Sequence, residues 1–77
     1  MVFVVGDMEI ATVGTDGDDR AIEFLVRPEG FVEECRFAIS REHDQDWEAA
    51  RLTIDPSSGS VPLAAVEWAV EFAREYL

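Results

Sequence analysis

A chain of 77 residues carries 17 Asp and Glu against six Arg and no Lys, a formal net charge of −11. So short a chain supports one core, worth roughly 3–5 kcal/mol, which excludes multidomain enzymes and large cofactor folds. The shortage of cations excludes direct binding to nucleic acid or to an anionic membrane face, yet 48% hydrophobic residues and eight aromatics at periodic positions mark a folding domain rather than a disordered acidic tail.

In chain order, Val2 to Val5 is an apolar run too short, and without the basic flank, for a signal or membrane segment. A cytoplasmic location is the resulting expectation. Gly6-Asp7 suits a tight hairpin, after which Met8, Ile10 and Thr12 alternate with Glu9, Ala11 and Val13 as a strand does. The polar stretch from Gly14 to Asp19, with Asp16-Gly17 at its centre, predicts a second hairpin. From Arg20 to Arg27 the alternation directs Ile22, Phe24 and Val26 to the core, and Pro28-Glu29-Gly30 stops it. Cys35, Phe37 and Ile39 line the next strand, which runs into the polar loop Glu42-His43-Asp44-Gln45-Asp46. Trp47 to Ile54 reads as the last strand, with Ala50, Leu52 and Ile54 inward; Trp47 takes the outward parity, within reach of Arg51.

Asp55-Pro56-Ser57-Ser58-Gly59 breaks the pattern before a helix predicted from about Val61 to Tyr76, with Ser60 as its N-cap and Pro62 in the first turn. The expected fold class is therefore α+β: a single domain, an antiparallel four- or five-strand meander (β-β-β-β-α) with the C-terminal helix packed on the sheet. The helix has a narrow polar arc of Glu67, Glu71, Arg74 and Glu75 and an apolar arc of roughly 220°, about twice what one sheet face needs. One flank is Leu63, Val66, Val70, Ala73 and Leu77; the other is Val61, Ala65, Trp68, Phe72 and Tyr76. Either a strongly twisted sheet buries both, or one flank serves a homodimer or partner interface. In the second case Trp68, Phe72 and Tyr76, with Trp47 on the sheet, are the candidate anchors, since aromatic residues dominate interface energetics.

No catalytic, cofactor or metal site is expected. The glycines form neither GxGxxG nor a Walker loop, no Ser sits in GxSxG, and one Cys and one His cannot make a four-ligand zinc site. Cys35 reads as a small core residue. Paired carboxylates for acid–base chemistry need a pocket, and so short a chain is expected to have little volume for one.

What remains is charge. Asp16, Asp18 and Asp19 in one turn and Glu42, Asp44 and Asp46 in another are the candidate contact acids. Their pattern predicts a non-enzymatic binding or inhibitor protein that docks on a basic surface of a protein partner; if that surface is a nucleic-acid channel, the carboxylates stand in for phosphates. Inhibitors of restriction or CRISPR machinery and immunity proteins share this profile of size and charge. The alternative is a stand-alone homo-oligomeric structural domain whose acidic surface is an adaptation to salt.

Overall fold

The structure, a computed structural model, describes residues 1–15, 19–28, 34–42 and 45–77, the side chains of Thr15 and Asp19 excepted. Five strands form one antiparallel sheet: β1 (Val2–Val5), β2 (Met8–Thr15), β3 (Asp19–Pro28), β4 (Cys35–Glu42) and β5 (Arg51–Ile54). Their spatial order repeats their chain order, and the helix α1 (Leu63–Tyr76) follows. The expected α+β meander is thus the fold, in its five-strand form.

Gly6 opens the first hairpin at φ 61° while Asp7 keeps a negative φ, the II′ arrangement whose twist matches that of the flanking strands. Across the sheet, Phe3 pairs with Ile10, Ile10 with Val26, Thr12 with Phe24, Phe24 with Phe37, and Phe37 with Ile54. Inward-parity residues therefore share the face that α1 covers, where Ile10, Ile22, Phe24, Val26, Phe37 and Ile39 are buried. The other face carries Val2, Val4, Glu9, Glu23, Arg27, Arg36 and Arg51, all exposed. No helix among the described residues is long and apolar enough to cross a membrane.

Several expectations are corrected. Trp47 does not begin β5: Trp47–Ala49 is a 3₁₀ turn closed by Ala49 N–H to Asp46 C=O (2.9 Å) and Ala50 N–H to Trp47 C=O (2.9 Å). Strand parity does not carry through such a turn, so Trp47 packs half-buried against the core, and the arginine over its ring is Arg74 (5.5 Å). Leu52 and Ile54 do face the helix side, opposite Ile39 and Phe37, but stay 44% and 43% exposed at the sheet edge.

The helix begins at Leu63, not Val61, and Ser60 does not cap it. A residue before proline is driven out of the α region, which keeps Val61 extended; Pro62 sits at the N-cap, its carbonyl accepting from Ala65 (3.1 Å) and Val66 (3.3 Å). The carbonyl of Ser60 instead accepts from Cys35 Sγ (3.2 Å). Neither flank of the helix is central. Ala65, Ala69 and Ala73, four residues apart, are each 0% exposed, and both flanks straddle this stripe half-buried, with Val66, Val70 and Leu77 on one side and Trp68 and Phe72 on the other.

The crossover from β5 to α1 is tied to β4. Asp55 N–H donates to Arg36 C=O (3.0 Å), Arg36 N–H donates to Ser58 Oγ (2.9 Å), and the 3₁₀ turn Pro56–Ser58 is held by Asp55 Oδ1, which accepts from Ser57 N–H (2.9 Å) and Ser57 Oγ (2.7 Å). The Ser57 amide first, and then its hydroxyl, hold the Asp55 carboxyl below its ordinary pKa. A depressed folded-state pKa means that the Asp55 contribution is complete above the unfolded value and is lost as pH falls through the folded one. Carboxyl-carbon NMR should show Asp55 titrating below ordinary aspartates, and Ser57→Ala, which spares the amide, should restore the midpoint only part way. An ordinary midpoint in the parent would contradict the turn geometry.

Candidate functional site

Asp16, Asp18 and Asp44 lie outside the described residues, as does His43. Of the remaining predicted acids, Asp19 begins β3 directly opposite Glu42, the last residue of β4, and Asp46 stands exposed at the start of the 3₁₀ turn. Strand register and the Gln45 N–H to Glu42 C=O bond (3.1 Å) place Asp19, Glu42 and Asp46 at the same end of the sheet.

A further acidic feature, absent from the candidate contact acids, is Glu67, Glu71 and Glu75, all exposed on α1. At i, i+4 and i+8 they rise in steps of about 6 Å along the outer face, a spacing readable from the sequence once the helix is placed. Like charges so arranged each cost an isolated helix about 0.2–0.5 kcal/mol. The helical cation, Arg74, forms no ion pair with them among the described residues, and its guanidinium lies over the Trp47 ring. Among the described residues one ion pair forms, Arg27 with Glu34.

The four predicted apolar anchors occupy different settings. Trp68 and Phe72 belong to an aromatic cluster: Phe3 lies 5.1 Å from Trp68 and 5.3 Å from Phe72, and both helix rings stand edge-on to Phe24. Trp47 is half-buried beneath Arg74. Tyr76 contacts Phe72 at 4.6 Å and remains 64% exposed.

The expectation of little pocket volume is corrected. A cavity of 530 Å³ opens between the end of α1 and strands β1 to β3, lined by Phe3, Gly14, Arg20, Ile22, Phe72 and Tyr76 among others. It exists because Gly14 continues the inward parity of Met8, Ile10 and Thr12 without a side chain to fill its place: a Cβ there would meet nothing within 4 Å. A second cavity of 400 Å³, lined by Arg20, Arg41, Glu42, Gln45 and Arg51, adjoins it at Arg20. Three of the six arginines line it at the edge of the sheet: the register sets Arg20 opposite Arg41 on the helix-covered face, and Arg51, opposite Ser40, comes from the other face. Arg41 donates through Nη1 to Gln45 C=O (2.9 Å) and through Nη2 to Leu77 C=O, while its Nε is buried without an acceptor.

Among the described residues, no three of His, Cys, Asp and Glu gather as a metal-binding group. No family model, curated protein or solved structure matches the chain.

Proposed function

We propose that this domain is a small acidic binding protein that docks on a basic surface of a protein partner, in a cytoplasmic setting, and blocks or regulates that surface without chemistry of its own. If the partner binds nucleic acid, the carboxylates take the place of phosphates. The observation that carries the reading is the uncompensated line Glu67, Glu71 and Glu75 on a rigid helix, which costs the free protein repulsion that a cationic partner would relieve. Glu42 and Asp46, also exposed and outside any described ion pair, add to the field that steers encounter, and Asp16, Asp18, Asp19 and Asp44 belong to the same proposed set.

The test is capture from lysate on immobilised protein at graded salt. Basic proteins should be retained at low salt and released as salt rises. A Glu67→Gln, Glu71→Gln, Glu75→Gln variant, whose changes all lie on solvent, should bind the captured partner about tenfold more weakly, as three rim charges of roughly 0.2–1 kcal/mol each imply. Retention of no basic protein at low salt would sink the reading, and equal binding by the variant would remove the helix from it.

A second reading, a homo-oligomeric domain with a salt-adapted surface, is favoured by the apolar exposure of Leu63 (71%), Leu52 (44%) and Ile54 (43%). A chain that folds only in molar salt, or that light scattering shows to be a dimer, would favour it over the first.

A further inference from the structure

We propose that the groove between the end of α1 and strands β1 to β3 is a binding site for a small organic anion with an apolar body, an alkyl or aryl carboxylate, whose head group pairs with Arg20.

The apolar half of the argument is the lining. Phe3, Ile22, Phe72 and Tyr76 present hydrocarbon and ring surface to a 530 Å³ space, inside the range of about 300–1,000 Å³ typical of small-molecule sites, which pair such walls with a few convergent polar groups. The missing Gly14 side chain supplies the depth.

The anionic half is a cross-strand pair of arginines on the helix-covered face, beside the acids at that end of the sheet. In a chain of net charge −11, Arg20, Arg41 and Arg51 line the adjoining cavity with Glu42 as the described acid among them. Arg20 and Arg41 are cross-strand partners, an arrangement that like charges disfavour. Arg41 is committed to the carbonyls of Gln45 and Leu77, whereas Arg20 is exposed and makes no ion pair among the described residues. It stands where both cavities meet. A carboxylate at Arg20 would offset the repulsion across the strands, and its hydrocarbon would lie against Phe72 and Tyr76. A neutral apolar molecule leaves Arg20 without a counter-charge, and an inorganic anion leaves the aromatic walls wet.

Titrating the full chain with octanoate and with its neutral counterpart octanamide, by calorimetry and by amide NMR, tests the assignment. Octanoate should bind saturably and about fivefold more tightly than octanamide, the advantage expected of an exposed Arg–carboxylate pair. Arg20→Gln should abolish that difference while leaving octanamide unchanged. Gly14→Leu, placed where the backbone has no positive φ and the space is open, should weaken both ligands at least tenfold. Tyr76→Ala removes a wall that is 64% exposed, and so gives the same readout if the leucine variant fails to fold. Absence of saturable octanoate binding overturns the site, as does wild-type affinity in both groove variants; equal affinity for the two ligands overturns the role of Arg20. The triple glutamine variant of the helix should bind octanoate normally, which separates this site from the basic-surface reading.

Discussion

Phe24→Ala is expected to leave the chain largely unfolded in dilute buffer. Phe24 is 0% exposed in β3, the central strand of five, with its ring stacked on Phe37 at 5.2 Å and edge-on to Trp68 (6.3 Å) and Phe72 (6.0 Å). A buried Phe→Ala change costs about 3–5 kcal/mol through lost transfer energy and the void left behind. A core of this size supplies roughly the same amount in total. With a single cysteine the chain has no internal crosslink in reserve. Far-ultraviolet circular dichroism and urea titration measure the outcome, and a urea midpoint near that of the parent would show that the aromatic cluster is not what holds the helix to the sheet.

Ala69→Leu should destabilise by a different route, overpacking. Ala65, Ala69 and Ala73 are fully buried, so the helix backbone rides close to the sheet along a stripe of methyl groups. A leucine at the middle position has no space to enter, and such insertions cost about 1–3 kcal/mol. Lifting the helix also separates Trp68 and Phe72 from Phe3 and Phe24, so near-ultraviolet dichroism should fall along with the urea midpoint. Ala64→Leu, on the exposed side, is the control and should change the midpoint little. If the two leucines proved equally harmless, the close approach of helix to sheet would be wrong.

The strands were legible because alternation is a local signal. Ile22, Phe24 and Val26, then Cys35, Phe37 and Ile39, declare their face by position alone, and the register confirms it. Trp47 escaped because one 3₁₀ turn between Asp46 and Ala50 resets the parity that a strand reading extends through it. Ser60 resembled a cap by residue type, but the Val61-Pro62 step moved the helix start beyond it. The central stripe of the helix was hidden by its chemistry: apolar periodicity weights large side chains, and three alanines carry little weight although they alone permit the closest contact. Of the candidate site, the acids at the end of the sheet were readable in sequence, whereas the approach of Arg20 and Arg41 depends on the register between neighbouring strands, which alternation alone does not set. Gly14 did leave a trace, as a glycine on inward parity, which reads as a missing wall only once the helix is known to pass over it.

A sheet whose spatial order repeats its chain order has a kinetic consequence. Each ladder joins consecutive strands, so pairing needs only short loops to close, and the entropy lost at each step stays small. The contacts between helix and sheet are different, and the longest in sequence among the described aromatic contacts is that of Phe3, which meets Trp68 and Phe72 near the opposite end of the chain. That contact closes nearly the whole sequence in one step and joins the first strand to the last helix. Hairpins can therefore form early and reversibly, while docking of the helix commits the molecule, making the domain a single cooperative unit in which the edge strand and the helix are won or lost together.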